Sequence, residues 1–234
     1  MAPRSGRHLR VGTTEGSGGR TRPGNFGLAR AMSAITRLGV MGGTFDPLHI
    51  GHLTAASEAR HAFDLDMVLF VPTGHPWQKR DYSDPEDRWI MAMLGARSDP
   101  HFAASRMEID RRRLTYTVDT LSEVHKFYAG AVELFFIAGG DAVLNLDTWH
   151  GLDRLAGLAR IIAVNRPGFD LEGVKPGPKW PDVSRVEIPG VHISSTELRE
   201  RVRTGRPIDH FVPADVVTYI RDQGLYVGGQ GGQG

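Results

Sequence analysis

Two histidines, His49 and His52, follow a pair of glycines, Gly42 and Gly43, within the sequence GGTFDPLHIGHL at positions 42–53. Glycines let backbone N–H groups come close to a phosphate, and the N-terminus of a following helix favours anions. Because residues three apart share one helix face, both imidazoles can donate hydrogen bonds to phosphate oxygens whose charge grows during transfer. The pattern predicts a phosphate-transfer site. The simpler alternative is that His49 caps the helix and His52 packs in the core.

A second group of polar residues lies in the sequence ISSTELR at positions 193–199, again at the start of a predicted helix. Ser194 and Glu197 have the spacing of a capping box, whereas the neighbouring hydroxyls and Arg199 suit the outer phosphates of a nucleotide. Capping and phosphate binding use different groups, so one segment can serve both purposes. The alternative is a cap alone, with Arg199 in solvent.

The elements that would position these residues alternate along the chain between short apolar runs and helical patterns. This alternation predicts an α/β fold of one domain, a Rossmann-like, doubly wound parallel sheet, and ligands of such sheets bind at the carboxyl ends of the strands. Asp84 and Pro85 signal the start of one helix. The predicted strands are 38–41, 67–71, 102–109, 134–138, 160–164 and 183–188, and the predicted helices are 51–63, 85–97, 117–128, 194–203 and 213–223.

Composition excludes several classes of function. The 234 residues include no cysteine, so disulfides, thiolate metal sites and thiol nucleophiles are ruled out. No stretch approaches the roughly 18–20 apolar residues that cross a bilayer, and no signal peptide is evident, so we expect a cytoplasmic protein without a membrane partner. Residues 1–31 carry a surplus of five positive charges, which leaves −4 for the rest of a chain whose formal net charge is +1. Nucleic acid is therefore a poor candidate partner.

The two ends of the chain differ in composition from the middle. Residues 1–34 are rich in Gly, Arg, Ser and Thr without an apolar period, and we predict a disordered N-terminal extension. Met32 lies a few residues before the first predicted strand, so translation starting there is an alternative. Residues 228–234 are predicted to be a flexible Gly-rich tail, which leaves 35–227 as the folded domain.

Several further motifs occur in a fixed order along the chain. Together with GGTFDPLHIGHL and ISSTELR they are Lys79 after VPTGHPWQ, Arg88, LTYTVDTL at 114–121, FIAGGD at 136–141, Thr148 with Trp149, and the Arg-Pro-Gly at 166–168. In these motifs, over about residues 38–227, the sequence resembles the bacterial nicotinate mononucleotide adenylyltransferases, a family of the nucleotidyltransferase superfamily with a Rossmann-like fold. The resemblance implies transfer of AMP from ATP to nicotinate mononucleotide, with deamido-NAD and pyrophosphate as products and Mg²⁺ accompanying ATP.

The same resemblance implies a division of the site into two sides, with no residue assigned to a metal. His49, His52 and Arg199 are the implied catalytic residues. The implied ATP side consists of Gly42, Gly43, Thr44, Phe45, His49, His52, Arg166, Ser194, Ser195, Thr196 and Arg199. The implied mononucleotide side consists of Thr44, Lys79, Thr117, Asp141, Trp149 and His150.

Four of the six mononucleotide residues also have a simpler structural interpretation. Trp149 could be a core aromatic instead of a ring that stacks on the pyridine, Thr117 and Asp141 could cap helices, and Lys79 could be solvated.

Three other functions stay open at this point. His-Ile-Gly-His also occurs in class I aminoacyl-tRNA synthetases, although the chain is short and lacks a KMSKS-like loop. The second alternative is a phosphopantetheine adenylyltransferase, and the third is a non-catalytic nucleotide sensor. A homo-oligomer is possible, since the sequence does not determine the oligomeric state.

Overall fold

The computed structural model describes residues 35–74, 82–111, 113–165, 177, 180–190 and 192–228. Its centre is a six-stranded sheet in the order β3-β2-β1-β4-β5-β6, and every pairing is parallel. The strands are β1 Arg37–Gly43, β2 Met67–Pro72, β3 Phe102–Ala104, β4 Glu133–Gly139, β5 Arg160–Asn165 and β6 Val183–Glu187. The predicted α/β fold with a doubly wound parallel sheet is confirmed. The predicted extension 1–34 and most of the tail 228–234 lie outside the described residues.

Helices connect and cover the strands. They are α1 Ile50–Ala62, α2 Pro85–Ala96, α3 Thr117–Phe127, α4 Gly140–Leu144, α5 Leu152–Leu155, α6 Ser195–Arg203 and α7 Ala214–Asp222, with a 3₁₀ turn at Leu146–Thr148. The predicted caps are present: the Asp84 carboxylate accepts the Glu86 N–H at 2.8 Å, and the Ser194 hydroxyl accepts the Glu197 N–H at 3.1 Å. Side-chain acceptors satisfy amide groups that have no partner in the first turn of a helix, which is why both helices begin where they do.

The strand predicted at 102–109 is wrong beyond Ala104. The β3 pairing with β2 ends at Ala104, and the chain then turns, with the Asp110 N–H bonded to the Arg106 carbonyl at 2.9 Å. The Arg106 guanidinium joins the Asp110 carboxylate at 2.9 Å and that of Glu86 at 2.8 Å. Ion pairs four residues apart favour a helical turn over an extended strand. This turn carries Glu108 inward instead of along a strand edge.

Buried apolar residues form two clusters. One cluster lies between the sheet and α1 and α2 and includes Phe70 and Phe135, whose side chains are fully buried. A second cluster joins α2 to α6 and α7 around Met91 and Val216. From β1 the chain builds the sheet outwards in one direction through β2 and β3, and from β4 it builds in the other direction. The strands β1 and β4 are therefore neighbours in the sheet although they are not consecutive in the sequence. The crevice at their carboxyl ends is the expected ligand site of such a sheet. No helix in the described ranges is long and apolar enough to cross a membrane.

Candidate active site

The β1–α1 loop, residues 44–49, leaves the end of β1 and folds back over it. Phe45 has a φ of 49°, in the left-handed region, and its ring meets those of His52 and Phe70 edge to face at centroid distances of 5.0 and 5.6 Å. A Cβ on Gly43 would lie 3.1 Å from the Phe45 ring, so this ring position requires glycine or a local shift. The two glycines therefore end β1 instead of forming a separate turn, and Gly42 stays exposed beside the crevice.

The two histidines stand together at the N-terminus of α1. His49 is the residue before the helix, with an extended backbone, and its ring stacks on that of His52 at 3.8 Å between centroids. The His49 N–H donates to Nδ1 of His52 at 3.3 Å. An Nδ1 that accepts places the proton of the neutral ring on Nε2, so His52 presents a donor from that atom. His49 thus occupies the capping position that the simpler interpretation gave it, while His52 is only partly buried.

Helix α6 is bonded directly to the β1–α1 loop. The Ser195 hydroxyl donates to the Pro47 carbonyl at 3.0 Å, and the Arg199 guanidinium donates to the Asp46 carbonyl at 2.7 Å. Arg199 also donates to the Thr196 hydroxyl at 3.3 Å. The N-termini of α1 and α6 consequently lie side by side, and each contributes positive potential from its unsatisfied amides. The two polar motifs, which are about 150 residues apart in the sequence, are therefore adjacent in the structure.

Arg88 holds the loops that follow β1 and β2. Its side chain is almost fully buried and donates to the Thr44 carbonyl at 3.3 Å, the Gly74 carbonyl at 3.0 Å and the Ser83 carbonyl at 3.0 Å, as well as to that of Thr73. Burial lowers the pKa of Arg88, and the nearby carboxylates partly offset that effect. Sequence analysis named this residue only as part of a motif. Its spacing of three and four from buried residues of α2 was the available signal.

Two neighbouring cavities open at the carboxyl ends of β1 and β4, with volumes of about 250 and 580 Å³. They share Thr115, Thr117, Ala142 and Trp149 in their walls. Gly42 and Gly43 line the smaller cavity, and Asp141 and His150 line the larger one. Four predicted mononucleotide residues, Thr117, Asp141, Trp149 and His150, therefore surround one space.

The rings around these cavities are held by other aromatic residues. Trp149 is half-buried and meets Phe136 edge to face at 5.6 Å, while the exposed His150 stacks on Tyr116 at 4.3 Å. Thr117 is the first residue of α3, and Tyr116 holds the capping position, so the simpler role proposed for Thr117 as a cap is wrong by one residue. Asp141 lies in the first turn of α4, where Gly139 holds the capping position.

Glu108 is a cavity residue that sequence analysis missed. It is 7% exposed, lines the smaller cavity and accepts hydrogen bonds from the hydroxyls of Thr115, at 2.9 Å, and Thr120. Burial raises the pKa of Glu108, and the two hydroxyls and Arg111 only partly offset that rise. The sequence offered no signal for it, because its position depends on the turn that replaces the predicted strand.

Two of the predicted site residues, Lys79 and Arg166, lie outside the described residues. The others fall into the two groups above, and Thr44 contributes its carbonyl to Arg88. Within the described ranges, no three His, Asp or Glu side chains are close enough to hold a metal ion.

Comparison with known proteins agrees with this geometry. The cytidylyltransferase-like family model matches residues 40–201. A probable nicotinate-nucleotide adenylyltransferase of Corynebacterium kroppenstedtii is 51% identical over 193 residues, which cover 82% of this chain and 91% of that protein. One from Saccharopolyspora erythraea is 50% identical over 199 residues, 84% of this chain and 92% of its own length.

Solved structures share the fold. Nicotinic acid mononucleotide adenylyltransferase of Plasmodium falciparum, complexed with NaAD, superposes with a TM-score of 0.68 at 18% identity, over 82% of this chain and 97% of that one. A Vibrio parahaemolyticus structure described as a nicotinate-nucleotide adenylyltransferase has a TM-score of 0.58 at 16% identity. At such low identity these structures support the fold alone. The family match and the 50% identical relatives carry the assignment: the chain belongs to the cytidylyltransferase-like family and, within it, to the nicotinate-nucleotide adenylyltransferases.

Proposed function

We propose that this protein transfers the AMP group of ATP to nicotinate mononucleotide and releases pyrophosphate and deamido-NAD. The observation that carries the proposal is the direct bonding of α6 to the β1–α1 loop, next to a cavity lined by Trp149 and Thr117. This arrangement supports an anion site at the paired helix N-termini, next to cavities that would hold the mononucleotide. The names of the relatives agree with this reaction rather than with tRNA aminoacylation or phosphopantetheine transfer.

On the ATP side, an oxygen of the mononucleotide 5′-phosphate attacks the α-phosphorus in line. A new phosphorus–oxygen bond forms, the bond between the α-phosphorus and the bridging oxygen breaks, and pyrophosphate leaves with the electron pair. No covalent enzyme intermediate is needed, so the residues act by positioning and by stabilising charge. His52 would donate from Nε2 to the α-phosphate with His49 beside it, and Arg199 would face the leaving phosphates.

The outer phosphates are assigned to the N-terminus of α6. The Ser195 hydroxyl already donates to the Pro47 carbonyl, so Ser195 would contribute its backbone amide. The hydroxyls of Ser194 and Thr196 only accept within the protein and would donate to phosphate oxygens. Arg166 is proposed for the same substrate from its place in the motif. Mg²⁺ bound with ATP would neutralise phosphate charge while keeping few protein ligands, as this strongly hydrated ion usually does.

On the mononucleotide side, the pyridine ring is assigned to the face of Trp149. A ring stacked there would direct its carboxylate towards the backbone after Trp149 and towards the start of α3 at Thr117. A carboxylate accepts from backbone amides and gains from a helix N-terminus, whereas a carboxamide is neutral and turns its own NH₂ towards those donors. Asp141, His150, Thr44 and Lys79 complete the assigned set. The acid substrate is therefore expected over the amide.

Three broader assignments accompany the reaction. Residues 35–227 are proposed as the catalytic domain and 1–34 as an extension that the reaction does not require. The partners are proposed to be the two small substrates and not nucleic acid. A cytoplasmic location is the one that suits this reaction, because ATP is abundant there.

The test is pyrophosphate release from ATP with matched acceptors. Nicotinate mononucleotide should support turnover, and nicotinamide mononucleotide should have a kcat/KM lower by on the order of 10²-fold, because one ligand satisfies the donors and the other opposes them. Phosphopantetheine tests the sister activity, and nicotinate riboside, which lacks the attacking phosphate, is the negative control. Release with phosphopantetheine but not with nicotinate mononucleotide would contradict the proposal.

A further inference from the structure

The chain after α7 returns to the β1–α1 loop. The hydroxyl of Tyr226 donates to Oδ1 of Asp46 at 2.6 Å, across a separation of 180 residues. Asp46 is completely buried within the described structure, directly after Phe45 in the loop that carries the histidines. A hydrogen bond to a buried carboxylate is among the stronger kinds and is costly to lose, because the acceptor cannot turn to water instead.

Asp46 is a junction between four segments of the chain. Its Oδ2 accepts the Ser83 N–H at 3.1 Å and lies 3.8 Å from Nη1 of Arg199. The same guanidinium nitrogen is 2.7 Å from the Asp46 carbonyl. Tyr226 therefore bonds a carboxylate that lies next to the proposed phosphate-binding Arg199. Any rotation of this carboxylate would change both the loop and the position of Arg199.

The backbone of Tyr226 supports a specific role for this contact. Its φ is 64°, a left-handed conformation that is unfavourable for a large aromatic residue. Such a conformation persists when surrounding contacts determine it. Burial and the negative charge of Asp46 raise the pKa of Tyr226, so the hydroxyl keeps the proton that it donates. The bond to Asp46 is therefore one of the contacts that hold this conformation, together with the packing of Tyr226 against the cluster around Met91.

We infer that Tyr226 is a positioning residue for adenylyl transfer: its hydroxyl fixes the Asp46 carboxylate so that Arg199 and the β1–α1 loop are held in the geometry that receives the ATP phosphates. This inference rests on the proposed function. Tyr226 touches no substrate in this account and acts through Asp46. The competing explanation is that Tyr226 only adds packing to the cluster around Met91, whose sulfur lies 3.6 Å from the hydroxyl.

The chain offers a matched control for this explanation. Tyr219, on α7, packs against the same cluster and donates its hydroxyl to the Asp87 carboxylate at 2.7 Å. Asp87 belongs to α2 and is not part of the β1–α1 loop. Tyr226→Phe and Tyr219→Phe thus each remove one oxygen and one tyrosine–aspartate hydrogen bond and keep the ring. Only the first change alters the Asp46 junction.

The experiment measures kcat, both KM values and the melting temperature for the two variants and the wild type. Tyr226→Phe should lower kcat by on the order of 10-fold, with the KM for nicotinate mononucleotide changed by less than about twofold. Tyr219→Phe should keep kcat within about twofold while losing a similar amount of thermal stability. A kcat for Tyr226→Phe equal to that of an active wild type would overturn the inference, as would equal losses in the two variants.

A double-mutant cycle sharpens the result. If Tyr226 acts through Asp46, adding Tyr226→Phe to Asp46→Ala, which removes the acceptor, should lower kcat by less than about twofold beyond the single Asp46→Ala change. Independent, multiplicative losses would contradict the inference. A wild-type protein that releases no pyrophosphate with nicotinate mononucleotide would instead overturn the proposed function, and this inference with it, so the two failures are distinguishable.

Discussion

Around the β1–α1 loop, the polar side chains assigned to ATP are also bonded to the protein, whereas around Trp149 the assigned side chains border open volume. Arg199 and Ser195 donate to loop carbonyls at 2.7 and 3.0 Å. Trp149 and Thr117 instead line two cavities of about 250 and 580 Å³. A preorganised site stabilises developing charge without reorganising, while an open cavity takes its final shape from its ligand. The first region should therefore control kcat and the second the KM of the acceptor.

The largest effect is expected from His52→Ala. Removing one preorganised donor at a charge-stabilising site lowers kcat by on the order of 10²- to 10³-fold. The stacked His49 ring would remain, and circular dichroism should show an unchanged fold. His61→Ala, an exposed histidine in the last turn of α1, is the matched control and should retain normal turnover. A folded His52→Ala protein with nearly full turnover would remove His52 from the transition-state site.

Trp149→Ala should act on the opposite side of the comparison. Stacking of a ring on an aromatic side chain is worth about 1–3 kcal/mol, so the KM for nicotinate mononucleotide should rise roughly 10- to 100-fold. The KM for ATP should change by less than about twofold. The control is Trp149→Phe, which keeps a stacking face. Trp89→Ala would not serve, because the Arg106 guanidinium lies over the Trp89 ring at 4.7 Å and would lose that contact. Equal rises in both KM values would show that Trp149 serves the fold instead of the acceptor.

Glu108→Gln should change the pH dependence of stability. Folding raises the pKa of the Glu108 carboxyl above its value in the unfolded chain, near 4.5. The stability that this carboxyl adds is fully present at a pH below the unfolded pKa, and it is lost as the pH rises through the folded pKa. The melting temperature of Glu108→Gln relative to wild type should therefore increase between about pH 4 and pH 7. Hydrogen bonding to Arg203 lowers the pKa of Glu200, so Glu200→Gln should show a small trend of the opposite sign. A difference for Glu108→Gln that stays constant with pH would contradict this prediction.

The smallest effect is expected from removing the N-terminal residues. A protein that starts at Met32 should keep its kcat and both KM values, because the removed residues have no apolar period with which to pack. Its melting temperature should shift by less than about 2 °C, the change that roughly 0.5–1 kcal/mol causes in a domain of this size. A clear loss of activity would show that the extension belongs to the catalytic unit.

Local sequence patterns were sufficient to predict the sheet and the position of the β1–α1 loop. Five of the six predicted strands agree with the structure to within two residues, because buried parallel strands are short apolar runs with clear ends. The loop was predictable because Gly42, Gly43, His49 and His52 lie within eleven positions of one another. The strand at 102–109 failed because Arg106 forms ion pairs with Glu86 and Asp110, which no alternation of apolar residues reveals.

Contacts between distant segments could not be predicted. Tyr226 and Asp46 are 180 residues apart, and neither residue type in isolation indicates a partner. Glu108 depends on the turn that replaced a strand, and the Arg88 contacts require two loops to be packed already. The sequence thus specified the groups that would face the substrate more completely than the groups that hold them in place.

Single-turnover rates of AMP transfer, with both substrates saturating, test the central comparison most directly. His52→Ala should slow the chemical step by on the order of 10²- to 10³-fold, whereas Trp149→Ala should keep it within about threefold of wild type once the acceptor saturates. That result would assign charge stabilisation to the β1–α1 loop and acceptor binding to the cavity. A Trp149→Ala protein that is as slow as His52→Ala at saturation would contradict the division of the site.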